Sequence, residues 1–366
     1  MNARTAGSGI MPVKSSFIRN NAAWVGAVCM LILIFARPQQ AVEGGQRAMR
    51  LWYTGVAPAM LPFLALMPII TGPEACNAYR KMFSGIMKKL FRLPGEAAPA
   101  VIAAMISGSP GGAVTVCEML SSGGFTNAEA VRIALACSGV SPAWLVLGVG
   151  CGMLGSKADG LKLAAIQVVV QFSLLKLLEK VEIPGTGNPH QPAPGSAGMW
   201  RAVESTLGVC GYMVVFGAAG SVLASFAGKY VSAALLAVLD LPTGLAEITA
   251  ANFTARPLAI GGALGFGGIC IGMQNLERLS GMGVRRRDYF AVRALSASVT
   301  AMMAAIWLRS GAHNAAEGTN SVRIYAFSLL GAAIFSVPGM IFLSKNIFLN
   351  IRRMPENVPV FDKKRN

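Results

Sequence analysis

Long apolar runs separated by short polar segments dominate the chain. A helix that spans a membrane needs about 20 consecutive apolar residues. Eight runs approach that length: 22–36, 52–71, 127–155, 160–178, 203–226, 257–277, 289–308 and 322–343. The pattern therefore predicts an all-α integral membrane protein with about eight transmembrane helices.

Two further apolar stretches are each split by a short polar segment. The stretch 98–120 is broken by Ser-Gly-Ser-Pro-Gly-Gly at 107–112, and 231–252 is broken by Asp-Leu-Pro-Thr-Gly at 240–244. Each pattern is typical of a re-entrant hairpin, in which two half-helices meet at a polar tip. For the first stretch, a single kinked crossing is the alternative.

Hairpin, broken helix and closing helix occur twice along the chain. The breaks in the helices that follow the hairpins are Ser-Gly-Val-Ser-Pro at 138–142 and Gly-Phe-Gly-Gly at 265–268. If both hairpins re-enter, most basic loop ends, with Arg293 counted among them, lie on one side of the membrane. Positively charged loops stay in the cytoplasm, so this distribution of charge predicts that both termini are cytoplasmic. It also predicts that the two hairpins enter from opposite sides of the membrane, as the halves of an inverted repeat.

This reading divides the chain into five parts. They are an N-terminal segment with the first crossing (1–50), a first repeat (51–181), a cytoplasmic linker (182–200), a second, inverted repeat (201–310), and a last crossing with a basic cytoplasmic tail (311–366).

Two local patterns predict where particular helices lie. Thr-Asn-Ala-Glu at 126–129 is a capping box, which marks the start of the third crossing. Apolar and basic residues alternate at helical spacing over 74–93, which predicts a helix in the plane of the interface. A cytoplasmic extension of the second crossing is the alternative for 74–93.

Composition supports the membrane assignment and excludes other classes. Of 366 residues, 54% are hydrophobic and 13% charged, against about 25% charged in soluble proteins. The lipid bilayer is therefore the expected partner. We interpret the net charge of +16 as basic residues that orient the chain in the membrane, and we expect no binding of nucleic acid. Seven cysteines without a C-x-x-C pair, and only His190 and His313, predict no metal site, no cofactor and no enzyme.

Unwound backbone at membrane depth is costly unless protein or a watery cavity surrounds it. Half-helix ends carry partial charges that can hold a solute, so the four breaks predict a binding site. The candidate residues are Ser107, Gly108, Ser109, Pro110, Gly111, Gly112, Ser138, Ser141, Thr243, Glu247, Asn252, Gln274 and Asn275. The alternative is structural: hydroxyls and glycines that serve helix packing, and Glu247 as a brace for its half-helix.

Several short motifs resemble one known family. They are Leu-Phe-Arg-Leu-Pro-Gly at 90–95, Ser-Gly-Ser-Pro-Gly-Gly-Ala at 107–113, Leu-Ala-Glu-Ile-Thr at 245–249, and Gly-Phe-Gly-Gly at 265–268 before Gln274. In this order they resemble the YlbJ-type sporulation integral membrane proteins, which carry the nucleoside-recognition (Gate) domain. The resemblance implies a cell-membrane protein with two Gate repeats, needed for a normal resistant spore. The Gate domain is similar to the core of concentrative nucleoside transporters, where opposed hairpins and broken helices surround a nucleoside and a coupling ion.

Two functional hypotheses follow from these patterns. The first is a secondary transporter or permease of a small polar solute, nucleoside-like or another metabolite, with a coupling ion such as Na⁺ or H⁺. The second is a non-transporting scaffold or receptor that binds spore-assembly proteins. The sequence leaves open whether the protein forms a homo-oligomer. Polar tips favour transport, whereas Ser-Pro-Gly-Gly, in place of the transporters' Gln-Thr-Glu at the first tip, favours the scaffold.

Overall fold

A computed structural model describes residues 15–121, 123–180, 198–251 and 253–308, and every regular element within these ranges is helical. The predicted all-α architecture is therefore confirmed for this part of the chain. Four sequence predictions lie outside the described residues: the last crossing at 322–343, the basic tail, Asn252, and the linker as far as residue 197.

The helices follow one another with short connections. In chain order they are α1 Ser15–Ala36, α2 Pro38–Leu51, α3 Ala57–Ile70, α4 Pro73–Ile86, α5 Ala98–Ser107, α6 Gly111–Ser121, α7 Asn127–Cys137, α8 Pro142–Trp144, α9 Lys157–Leu177, α10 Gly198–Ala224, α11 Lys229–Leu239, α12 Leu241–Ala250, α13 Arg256–Phe266, α14 Gly268–Arg278 and α15 Arg286–Trp307. The π-helical stretches Trp52–Val56, Met87–Phe91 and Leu145–Met153 continue α2, α4 and α8.

Within the described residues, six helical runs are long and apolar enough to cross a membrane. They are Pro38–Ile70, Asn127–Met153, Lys157–Leu177, Ala202–Ala224, Arg256–Arg278 and Arg286–Trp307. Large apolar side chains on the outside of the bundle, such as Ile69 and Val215, are mostly exposed. Lipid is a favourable environment for such side chains and water is not, so the chain is a multi-pass membrane protein.

The second crossing begins earlier than the apolar pattern predicts, at Pro38 and not at residue 52. The segment Pro38–Leu51 contains many polar side chains, and its buried face is made of small residues such as Ala41, Gly44 and Ala48. It therefore has no long apolar run that would mark it as part of a membrane-spanning helix. A Cβ on Gly44 would overlap Ser221 of α10. Small residues let two helices approach closely without a long apolar run, which is why the pattern alone misses α2.

Two pairs of short helices fold back on themselves as helical hairpins. In the first, α5 and α6 pack together, and a Cβ on Gly112 would press on Ala104. In the second, α11 and α12 pack together, and a Cβ on Gly244 would overlap Ala237. We call residues 107–112 the first tip and residues 240–244 the second tip. The run Pro73–Phe91, which contains α4, meets the run leading into α5 at 111°.

The two hairpins reach α14 from opposite ends. In the first hairpin, Ser109 contacts Asn275, and further along α6 the Cys117 thiol contacts the Arg278 carbonyl. The base of this hairpin therefore lies toward the C-terminal end of α14. The second tip lies at the N-terminal end, where the backbone of Leu241 packs near Gly268.

Both helices that follow the hairpins are broken where the sequence predicts. The first run stops at Cys137 and resumes at Pro142, where the Ser141 hydroxyl accepts a hydrogen bond from the Trp144 amide. The second is interrupted at Gly267, whose φ of 83° is left-handed and suits glycine. The predicted capping box at the start of α7 is also confirmed, with Thr126 and Glu129 bonded reciprocally.

Candidate solute site between the hairpin tips

A small cavity lies where the two tips meet. Its polar lining comes from four separate segments: Ser109 of the first tip, Asp240 of the second tip, Ser141 of the first break, and Gln274 of α14. Its apolar lining is Val56, Met60, Pro110, Val140, Trp144, Val209, Met213, Leu241, Pro242 and Ile271. The volume is about 30 Å³, which holds one or two water molecules. We call it the tip cavity.

The first tip presents one of its two serines to this cavity. The Ser107 hydroxyl donates to the Ala103 carbonyl within its own helix, 2.7 Å away. Ser109 is instead anchored through its backbone amide, which donates to the Gly139 carbonyl at 2.8 Å. Gly108, with φ of 62°, packs so closely on Ser141 that a side chain would overlap it. The first tip is thereby fixed against the first break.

Asn275 connects the first tip to the second half of the molecule. Its Nδ2 donates to the Ser109 hydroxyl at 3.0 Å and to the Tyr289 hydroxyl at 2.7 Å. Tyr289 also shares a hydrogen bond with Ser138 of the first break. All four side chains are buried, and buried polar networks of this kind fix a specific arrangement of helices.

Arg293 is a site neighbour that the sequence pattern misplaces. The loop-charge argument counts it as a cytoplasmic loop end, but it lies inside α15 and is completely buried. Its guanidinium donates to the carbonyls of Ser138 at 2.7 Å and Leu135 at 3.1 Å. These carbonyls belong to the end of α7, where the helix dipole places partial negative charge. Arg293 therefore ties the closing helix of one half to the break of the other.

Asp240 forms the second tip, and sequence reasoning did not select it. One carboxylate oxygen, Oδ2, accepts from the backbone amide of Thr243 at 3.2 Å and from its hydroxyl at 2.5 Å. Thr243 is thus occupied by the cap and does not line the tip cavity. An Asp two residues before a Pro at a helix start is an N-cap signal, and this signal could have identified the residue.

Glu247 lies at a different place from the other candidates. It forms an ion pair with Arg47 of α2 at 2.6 Å, and the two side chains are 41% and 50% exposed. Both line a second cavity of about 210 Å³, together with Glu43 and Lys229. We call it the charged cavity. The structure therefore separates Glu247 from the tip cavity.

The remaining predicted residues, Gly111 and Gly112, do not line the tip cavity but allow close packing beside it. Gly111 and Gly112 are buried where α6 begins, and a Cβ on Gly111 would press on Leu64. Among the described residues, no group of three or more His, Cys, Asp or Glu side chains could hold a metal ion. The site thus offers hydroxyls, an amide and one carboxylate against an apolar wall.

Comparison with known proteins gives one informative likeness. The chain is 24% identical over 132 residues to the sporulation integral membrane protein YlbJ of Bacillus subtilis (strain 168). The match covers 36% of this chain and 32% of the relative, so about a third of each protein is compared. No family model matches the chain, and no solved structure does. The likeness supports a relationship to YlbJ-like membrane proteins.

Proposed function

We propose that the protein is a secondary transporter that moves a small polar solute across the cell membrane during endospore formation. The observation that carries the proposal is the meeting of two hairpin tips, which reach α14 from opposite ends, at one cavity with polar groups from both halves. The link to spore formation rests on the likeness to YlbJ.

In this proposal the two hairpins are re-entrant and each opens to one side of the membrane. Their arms are too short to cross: α5 has 10 residues, α6 has 11, α11 has 11 and α12 has 10, about half of what a crossing needs. Tips with polar backbone are tolerated in a membrane where protein surrounds them, and both tips here are largely buried. Both termini are then cytoplasmic, as the basic loops predict.

The mechanism that fits this arrangement is alternating access by movement of one half against the other. A cavity of about 30 Å³ holds water only, so a solute enters when the tips separate. The bond between Ser109 and Asn275 crosses from the first tip to the second half. It is therefore a contact that opens and reforms during each cycle.

The lining indicates the class of solute. Hydroxyls of Ser109 and Ser141 and the amide of Gln274 can donate and accept hydrogen bonds without a fixed charge. Trp144 adds a flat apolar wall, and its ring Nε1 donor has no partner within the described residues. A planar ring that carries donors and acceptors suits such a lining, which favours a nucleoside-like solute over a simple ion.

A ligand screen in lipid nanodiscs tests the proposal. A ligand that binds the folded state raises the melting temperature, so nucleosides, free bases, amino acids and dipicolinate are compared on the wild type and on Gln274→Ala. Ser173→Ala is the matched control, because this hydroxyl lies on the exposed face of α9 and bonds only within its helix. We expect a shift with one ligand class in the wild type and the control, and none in Gln274→Ala.

The scaffold hypothesis remains the second candidate, and the small volume of the tip cavity is the observation that favours it. A scaffold needs no room for a solute, so it predicts no ligand shift in any variant. It also predicts that Gln274→Ala supports spore formation as well as the wild type when it replaces the native protein. A ligand shift in the wild type, together with defective spores from Gln274→Ala, contradicts the scaffold.

A further inference from the structure

Asp240 is a buried carboxylate that is only half satisfied. The residue has 0% exposure and lines the tip cavity. Its Oδ2 caps α12 through Thr243, and the Cys270 thiol is a further, weak hydrogen-bond partner of the carboxylate. Within the described residues, Oδ1 receives no hydrogen bond from an N–H or O–H group. A cap for α12 requires one acceptor oxygen, so the cap does not explain the second oxygen or its position at the cavity.

No basic side chain compensates this carboxylate in the described part of the chain. None of the ion pairs there includes Asp240. From α14, the Cys270 thiol is the titratable group beside it, and a thiol is only a weak donor. From α10, the Tyr212 hydroxyl is bonded to Glu277.

The charged cavity is lined by Glu43 and Arg47 of α2, Lys229 of α11 and Glu247 of α12, none of which lines the tip cavity. Arg256 stands at the start of α13, the helix that follows the second hairpin, and does not line the tip cavity either. On α15, Arg293 bonds to the end of α7 and Tyr289 bonds to Asn275. The immediate surroundings of Asp240 are thus hydroxyl, thiol and apolar groups.

An ionised carboxylate closed inside such a cavity is costly, because it loses its hydration and gains no countercharge. A metal cation would need several oxygen ligands around it, and the lining is largely apolar. A proton needs no space and makes the group neutral. Protonation at Oδ1 leaves Oδ2 free to keep capping α12, and the new O–H becomes a donor inside the cavity.

We propose that Asp240 takes up one proton when the two hairpin tips close and releases it when they separate. In the closed form the side chain is a neutral carboxylic acid. In the open form water reaches the tip, and the carboxylic acid gives its proton to that water and becomes a carboxylate. This inference rests on the proposed function, because in a carrier it couples solute movement to a proton gradient.

Hydrogen exchange of the two tips, followed by mass spectrometry, tests the inference without any solute. The full-length protein in lipid nanodiscs is measured between pH 5 and pH 8, and protection factors are corrected for intrinsic exchange. If closure binds one proton, the open fraction rises about tenfold for each pH unit once the carboxylate ionises. Peptides that cover 107–112 and 240–244 should therefore lose protection together as the pH rises.

Two variants separate the proton site from a simple helix cap. Asp240→Asn keeps a capping oxygen and cannot ionise, so we expect tips that stay protected across the whole pH range. Asp240→Ser, a second neutral cap, should behave in the same way and covers the case in which the first variant does not fold. Asp159→Asn, which removes a carboxylate paired with Lys162 on α9, should titrate as the wild type does.

The outcomes are distinct from those of the ligand screen. Tips whose protection does not change with pH in the wild type, or that titrate equally in Asp240→Asn, overturn the inference. Titrating tips in a protein that binds no ligand support the proton site and argue against transport. If a ligand raises the melting temperature but the protection of the tips does not change with pH, the result supports transport and shows that Asp240 is not the proton-coupling residue.

Discussion

Single buried polar residues hold the two halves of this molecule together. Arg293 is the largest completely buried side chain among the described residues, and both carbonyls that it binds belong to the other half of the chain. In hydrocarbon there is no water to replace it. Its contribution to stability should therefore be larger than that of an arginine in a loop.

Replacement of this arginine tests that contribution. In Arg293→Met the carbonyls of Leu135 and Ser138 lose their donors, and we expect a loss of roughly 2 to 4 kcal/mol in the free energy of unfolding. Arg286→Met is the control, because Arg286 is exposed at the start of the same helix. Unfolding in mixed lipid–detergent micelles measures both, and equal stability of the two variants would contradict the role assigned to Arg293.

Glu247 should behave in the opposite way. Its ion pair with Arg47 is about half exposed, and exposed pairs contribute about 0 to 1 kcal/mol. We expect Glu247→Gln to melt within a few degrees of the wild type and to keep any ligand shift seen in the wild type. The same thermal measurements check both points. Loss of the ligand shift in this variant alone would move the solute site to the charged cavity.

At the tip cavity, the sequence predicts the backbone breaks and their small polar residues. It does not predict the charged residues Asp240 and Arg293. Ser109 and Ser141 lie next to Gly- or Pro-containing breaks, and Gln274 lies in the helix that starts at such a break. Breaks of this kind are visible in a sequence. The sequence pattern places Arg293 with the loops, because a charge near a helix end gives no indication of whether it points outward or inward. Whether a side chain is buried, and which way it points, depends on how the helices pack. A single sequence does not show that packing.

At the scale of elements, glycine decides how closely the arms of each hairpin approach. Gly244 of α12 lies against Ala237 of α11, with no space for a Cβ. The same small-residue packing brings α2 against α10. Helices of 10 or 11 residues are marginal alone, so the second hairpin depends on this contact.

An added methyl group should therefore separate the arms of the second hairpin. We expect Gly244→Ala to lower stability by about 1 to 3 kcal/mol, as overpacking does, and to lower the protection of the second tip in hydrogen exchange. Gly208→Ala is the matched control, because nothing lies within 4 Å of a Cβ there. Alanine should stabilise that open helical position, by up to about 1 kcal/mol. A neutral effect at Gly244 would contradict close packing of the arms.

The elements that the sequence predicted well are those whose signal is local. The capping box at Thr126 and the break at Gly267 each depend on a few neighbouring residues. Residues 38–51 do not stand out in the sequence, because their burial depends on α10 (Gly198–Ala224), which lies far along the chain. A stripe of Ala and Gly becomes a packing surface only when its partner is known.

At the scale of the whole molecule, the two halves meet through a small number of polar contacts. The bond between Ser109 and Asn275 is one of them, and it joins parts that separate in the proposed cycle. The side chains of both residues are buried in the closed form. A covalent link at this point should therefore hold the molecule closed.

A reversible cross-link tests this expectation. In the double variant Ser109→Cys with Asn275→Cys, Hg²⁺ should bridge the two thiols, since the native side chains are in contact and a metal bridge spans a wider gap than a disulfide. We expect the bridged protein to lose solute uptake into proteoliposomes, relative to the same variant before Hg²⁺, and excess thiol to restore it. Each single variant, treated with the same Hg²⁺, controls for the seven native cysteines. Full uptake by the cross-linked protein would show that this contact does not open.

The carboxylate at the tip cavity has a thermodynamic consequence for the proposed carrier. If each cycle moves one proton together with the solute, the direction of net flux is set by the solute and proton gradients combined, because every step of the cycle is reversible. We expect net solute flux across proteoliposomes with equal solute on both sides to reverse when the pH gradient is reversed.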